Sequence, residues 1–144
     1  MAHIGLLEDN ARIAKLCTTF LQFAGHEVTI YEHPKKCLYA LLLNGVNEGA
    51  SSASLIRTQS PYVLPIEVLI LDLSLPDIDG IEVMWQLQSQ PRTRRLPLIL
   101  CTAASDAEIA RALCIAPQAA IVTKPFKLDT LISAISTALS LVAQ

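Results

Sequence analysis

The sequence predicts an α/β fold: a doubly wound, five-stranded parallel sheet of order 2-1-3-4-5 with helices on both faces. Three observations predict it. Short β-rich runs alternate five times with stretches of helical period, the third run reads Val-Leu-Ile-Leu without polar alternation, and polar residues cluster just past the runs. The first run, 3–7, leads into a helical pattern at 11–24 that Gly25 closes as a C-cap. The second, 28–31, precedes a helix at 34–43 ended by Asn44-Gly45. The third, 68–71, is apolar throughout, as a strand covered on both faces requires, and a helix at 80–90 follows it. The fourth run, 98–101, precedes a helix at 106–116, and the fifth, 120–123, precedes one at 128–142. In this last helix Leu128, Leu131, Ile132, Ile135, Leu139 and Val142 recur at helical spacing, so one stripe packs on the sheet. Right-handed crossovers distribute such helices over both faces. The winding reverses between strands one and three, so a site is expected at their carboxyl ends. Residues 44–65 are rich in Ser, Asn and Gly and exceed the roughly 2–6 residues of an ordinary connection from helix to strand. They read as a surface insertion between helix two and strand three, with a helical extension around 50–56, within a single domain spanning 1–144.

Composition narrows the function classes. The 144 residues are 52% hydrophobic and 17% charged, so the chain is a folded domain, long enough for a core that needs neither disulfides nor a structural metal. Eleven Lys and Arg against thirteen Asp and Glu give a net charge of -2, which offers no basic field for direct nucleic-acid or membrane binding. Charge or proline interrupts every apolar run before the ~18 residues of a membrane span. The N-terminus lacks the basic-then-apolar layout of a secretory signal, and a cytoplasmic location is expected. Cys17, Cys37, Cys101 and Cys114 show no metal spacing and read as small buried hydrophobes. His3, His26 and His33 likewise read as structural or exposed.

The residues at the carboxyl ends of the strands carry the chemistry. Glu8 and Asp9 follow the first, Asp72 the third, Thr102 the fourth and Lys124 the fifth. Three carboxylates brought together by neighbouring strands repel one another unless a cation is present. Mg2+ suits them, because it prefers one or two carboxylates with water and phosphoryl oxygens to a full protein cage.

These segments resemble the receiver domain of two-component response regulators. The likeness runs through Glu8-Asp9, the stretch Asp72-Leu73-Ser74-Leu75-Pro76-Asp77-Ile78-Asp79-Gly80, Thr102-Ala103 and Lys124-Pro125-Phe126. The resemblance implies a phosphoacceptor at Asp72. It also implies Mg2+ held by Asp9, Asp72 and the Ser74 backbone carbonyl, with Glu8 acting through water, and phosphoryl oxygens bound by Thr102 and Lys124. Pro76, Gly80, Ala103 and Pro125 belong to the surrounding loops, Gly80 being expected to supply torsions other residues resist and Pro125 a cis peptide. The phosphodonor is then a sensor histidine kinase or phosphotransfer protein. The domain is a signalling acceptor rather than an enzyme, assisting only its own phosphotransfer and dephosphorylation.

Switching follows from the same contacts. A phosphate on Asp72 draws in Thr102 and biases a pre-existing equilibrium at helix four, strand five and helix five, where a downstream protein or a second copy binds. Two residues depart from the family. Ile121 occupies the position of a switching aromatic, and Pro117 replaces a glycine after helix four and stiffens that connection. They keep a second reading open, a phosphorylation-independent interaction module. A haloacid dehalogenase-type phosphatase needs a second aspartate where Ser74 stands, and a nucleotide carrier needs a phosphate cradle where Glu8 and Asp9 would repel one. Trp85 is read either as an outward partner anchor or as partly buried beneath the insertion. Arg92, Arg94 and Arg95 read as a solvated loop. The sequence leaves open whether the chain stands alone or belongs to a longer protein.

Overall fold

The computed structural model describes residues 2–43, 64–73, 80–103, 105–124 and 127–143. Five strands, β1 (His3–Leu7), β2 (Glu27–Tyr31), β3 (Val68–Asp72), β4 (Leu98–Thr102) and β5 (Ala120–Thr123), pair in parallel in the order β2-β1-β3-β4-β5. The helices are α1 (Ala11–Phe23), α2 (Pro34–Leu38), α3 (Gly80–Gln88), α4 (Asp106–Ile115) and α5 (Leu128–Ala143). This is the predicted architecture. The one helix expected over 34–43 divides: α2 ends at Leu38 and the chain widens into a π turn over Tyr39–Leu43. The insertion read at 44–65 lies, apart from Leu64 and Pro65, outside the described residues.

Alternation along each strand splits the core in two. Ile4, Leu6, Val68, Ile70, Ile99, Cys101 and Val122 face Ala14 and Leu21 of α1 and Leu131 and Ile135 of α5. Leu7, Tyr31, Leu69, Leu71, Leu98 and Leu100 face the other way, onto Cys37, Leu41, Val83, Met84, Leu87 and Ala112. Every residue of β3 and β4 is buried, which explains why both are apolar up to their last residues, Asp72 and Thr102. The inward set of α3 is Val83, Met84 and Leu87, with Ile81 only half-buried, and Trp85 points outward and is exposed. Cys37 and Cys101 are buried as expected, and burial pushes both thiols up to about 12. Cys114 is exposed against expectation, and all four cysteines are free.

Local chemistry sets the helix ends. Asn10 Oδ1 accepts from the N–H groups of Arg12 and Ile13 at 3.0 and 3.1 Å and starts α1. Gly25 ends it at φ 97°, a left-handed torsion that favours glycine. His33 caps α2 through Nδ1, with Pro34 at its first position. His26 Nδ1 accepts from Ala2 N, and His3 Nε2 meets Thr29 Oγ1 at 2.6 Å, so all three histidines serve structure.

Gly80 departs from its expected role. Among the described residues only Gly25 has a positive φ, so Gly80 supplies space rather than an unusual torsion. A Cβ there would lie 2.7 Å from Leu73 Cδ2 and 3.7 Å from the Asp72 carbonyl oxygen. Gly80→Val is therefore expected to cost about 1–3 kcal/mol by overpacking, measured as a lower urea midpoint at unchanged slope.

Candidate functional site

Register brings the predicted residues to one end of the sheet. Leu7 pairs with Leu71, so Glu8 and Asp72 emerge at the same level; Asp72 pairs with Cys101, and Thr102 with Thr123, one residue before Lys124. Asp72 and Thr102 end their strands rather than follow them. The buried polar side chains among the described residues are Glu8, Asp72, Thr93 and Thr102, and three of these four meet here. Such burial is costly unless partners are supplied.

The partners are in place. Lys124 Nζ donates to Asp72 Oδ2 in a half-buried ion pair. The Glu8 and Asp72 carboxyls share a hydrogen bond, and the Asn10 N–H donates to Glu8 Oε2 at 3.2 Å. Backbone bonds hold the level of each residue. Glu8 N–H donates to Tyr31 O at 3.1 Å, Leu73 N–H to Cys101 O at 3.0 Å and Lys124 N–H to Thr102 O at 2.8 Å. The sequence reading missed Asn10, which both caps α1 and steadies Glu8; the signal was an Asn directly before a helical pattern.

Asp9 stands apart as an exposed residue at the rim. Among the described residues no three His, Cys, Asp or Glu side chains gather as a metal-holding group. Ser74, Pro76 and Pro125 lie outside the described residues; Ala103 is exposed next to Thr102, and Gly80 is buried beside Leu73. Ile121 is half-buried against the core of the face that holds Leu98, Leu100 and Ala116. The oxygen-only donor set, two buried carboxyls with a third at the rim, fits a hard cation that takes few protein ligands.

Burial, reinforced by Asp72, pushes the Glu8 carboxyl up to about 7 from its ordinary 4.5, against the lowering effects of the Asn10 N–H and Lys124. Between these values the folded protein holds a proton that the unfolded chain has released. Without metal, this group's contribution to stability therefore falls as pH rises from about 4.5 to about 7. The loss reaches at most about 3 kcal/mol. Urea midpoints of wild type and Glu8→Gln are expected to converge near pH 5 and separate near pH 8, with wild type the less stable; parallel curves would refute the buried-proton account.

A groove of about 1190 Å3 lies elsewhere, at the amino-terminal ends of β4 and β5, between the end of α4 and α5. It is lined by Pro117, Ile121 and Ser133 among others, and by no member of the acidic cluster.

Comparison with known proteins agrees with this geometry. The family model described as "Response regulator receiver domain" matches residues 4–136. The probable transcriptional regulatory protein TcrX of Mycobacterium tuberculosis is 26% identical over 127 residues, covering 88% of this chain and 45% of that protein. The chain spans less than half the length of the curated relatives it matches. The receiver domain of Francisella response regulator 1452 superposes with a TM-score of 0.72 at 22% identity, covering 99% of each chain. TrrA from Thermotoga maritima, solved in complex with Mg2+-BeF, gives a TM-score of 0.69 at 22% identity, covering 96% of this chain and all of that one.

Proposed function

The chain belongs to the response regulator receiver family, and from that premise we propose that it accepts a phosphoryl group on Asp72 from a histidine kinase or phosphotransfer protein, with Mg2+. The ion pair of Lys124 with Asp72, beside buried Glu8 and Thr102, carries this reading. It gathers a nucleophilic carboxylate, an ammonium and a hydroxyl from separate strand ends at one point.

In the transfer, an Asp72 carboxylate oxygen bonds to phosphorus as the bond from phosphorus to the donor histidine nitrogen breaks and that nitrogen regains its proton. The transition state is loose, so positioning and charge stabilisation dominate. Lys124 moves its donor from the carboxylate to a phosphoryl oxygen, and the Thr102 hydroxyl donates to another. Asp9, Asp72 and the Ser74 carbonyl would hold Mg2+ directly and Glu8 through water. When bound, the ion supplies the positive charge that lets carboxylates and phosphoryl oxygens approach one another. That TrrA, which shares this fold, is solved in complex with Mg2+-BeF supports the choice of Mg2+ as the ion.

The protein is a signalling domain, its catalytic part confined to its own phosphorylation and dephosphorylation. We read residues 1–144 as one receiver domain acting in the cytoplasm; among the described residues no helix is long and apolar enough to cross a membrane. Output is assigned to α4, β5 and α5, where the groove beside Ile121 and Pro117 offers a downstream protein or a second copy a seat. Direct nucleic-acid binding is not assigned to this domain. Ile121 supports the second reading, a module that binds its partner without phosphorylation, because an aliphatic side chain packed on the core has no phenol to exchange between states.

Incubation with a small-molecule phosphodonor and Mg2+, followed by intact-mass measurement, tests the proposal. A gain of one phosphoryl group, lost when the metal is chelated, is expected; no gain under any donor or metal condition favours the phosphorylation-independent module.

A further inference from the structure

Edge strand β5 presents polar backbone at the floor of a largely apolar groove. Its register with β4, and the bond from Lys124 N–H to Thr102 O, turn the backbone groups of Ala120, Val122 and Lys124 toward β4. In a parallel pair the residues between them point the other way. The N–H and C=O groups of Ile121 and Thr123 therefore face outward, where the sheet has no further strand. Among the described residues these groups have no hydrogen-bond partner. Ile121 is half-buried and lines the groove between the end of α4 and α5. Small side chains flank it, Ala116 and Ala119 on one side and Ser133, Ala134 and Ala138 on the other. The opposite edge of the sheet is guarded: β2 begins at exposed Glu27 and is followed by exposed Glu32, and charges on an edge oppose strand addition. No residue over 117–123 is charged.

The lining also carries a charge pattern. Arg94 and Arg95 line the groove just before β4 begins, at the amino end of β5. Arg94 Nε donates to Gln88 O at 3.3 Å, and among the described residues neither arginine is ion-paired. The acid that lines the groove, Asp129, stands in the first turn of α5, toward the carboxyl end of β5. An occupant must then supply backbone donors and acceptors at strand spacing, together with negative charge near Arg94 and Arg95. A helix has no free backbone groups, so it would cover Ile121 N–H and C=O without pairing them, at a cost. A second copy brings a β5 recessed between its own helices, which collide before two such edges come within the about 4.8 Å of paired strands. A slender extended segment meets every condition.

We propose that β5 pairs with an extended segment of a partner protein, which adds to the sheet as a sixth strand in this groove, bonds through its backbone to Ile121 and Thr123, and carries an acidic residue that meets Arg94 and Arg95. This rests on the assignment of output to α4, β5 and α5 and names the form of partner that surface takes.

Selection of a phage-displayed library of random dodecapeptides on the 144-residue chain, followed by amide hydrogen exchange with the enriched synthetic peptide, tests this. Enriched sequences are expected to alternate apolar residues and to carry Asp or Glu at one end. The bound peptide is expected to slow exchange of the Ile121 and Thr123 amides at least about tenfold, whereas those of Ala120 and Val122, already bonded to β4, change little. Arg95→Glu is expected to weaken the peptide at least about tenfold with unchanged circular dichroism, and replacing the peptide's acid with Lys to restore binding to that variant. An indifferent Arg95→Glu or an absent rescue overturns the proposal. A peptide that shifts the NMR signals of Ser133 and Ala134 without slowing exchange at Ile121 and Thr123 overturns strand addition and leaves the output surface standing. Slowing that appears without peptide as protein concentration rises assigns the edge to a second copy and also overturns it. Absence of any peptide bound in the groove overturns both the proposal and the output assignment.

Discussion

Asp72→Asn is expected to abolish phosphoryl uptake completely while leaving the fold intact. The amide has nearly the shape of the carboxylate but lacks its nucleophilic charge. The other buried carboxyl is no substitute: Glu8 shares a hydrogen bond with Asp72 and is pushed up to about 7, so a large fraction holds its proton near neutral pH. Folding should not suffer, because the neutral amide no longer raises Glu8 by charge and Lys124 can still face an ionised Glu8. Stability is expected to stay within about 1 kcal/mol of wild type, since a new charge balance replaces the old one. Intact mass after treatment with phosphodonor and Mg2+ separates the outcomes. A phosphoryl gain on wild type alone assigns the acceptor, whereas equal gain on both proteins would place the nucleophile elsewhere and sink the proposed chemistry.

Much of this arrangement was legible in the sequence because strand ends are marked twice, by an apolar run and by the polar residue that stops it. The repeated β-α alternation implied the order of the sheet, and that marking implied the level at which Glu8, Asp72, Thr102 and Lys124 emerge. It misplaced the ends by one residue at β3 and β4, because backbone pairing continues through Asp72 and Thr102 even though their side chains are polar. Asp9 and Glu8 differ for a reason a linear reading does not contain. Successive residues leaving a strand point to opposite sides, and here Glu8 turns inward to Asp72 while Asp9 reaches solvent. Gly80 shows a second limit. A glycine at a loop-to-helix junction is equally consistent with a special torsion and with lack of room, and only the position of Leu73 decides for room. The π turn at Tyr39–Leu43 escaped because Cys37, Leu38, Leu41 and Leu42 satisfy a helical period whether or not the last turn widens. Cys114 has the same apolar neighbours in sequence as the buried cysteines, but it faces away from the core of its helix.

Lys124→Met is expected to have the largest effect on stability, and its pH dependence identifies the cause. Methionine keeps most of the length and packing of the lysine stem but removes the charge that faces Asp72. Asp72 and Glu8 then remain buried beside each other without their cation, and breaking a buried pair from one side costs about 3–5 kcal/mol. The lysine is partly solvated, so the lower end of that range applies, about 3 kcal/mol. Loss of the lowering effect of Lys124 lifts Glu8 further above its present value of about 7, so the variant folds with a more tightly held proton. Its stability therefore falls as pH rises from the unfolded value near 4.5 through the folded one, and the deficit against wild type is greatest at alkaline pH. Near pH 4.5, where Glu8 keeps its proton in the folded state of both proteins, the deficit is smallest. Urea titrations of both proteins from about pH 4.5 to about pH 9 measure this difference. A deficit of the same size at every pH would mean that the stem's packing, not the ammonium, supports the site, and Lys124 would lose its part in the chemistry along with its part in the fold.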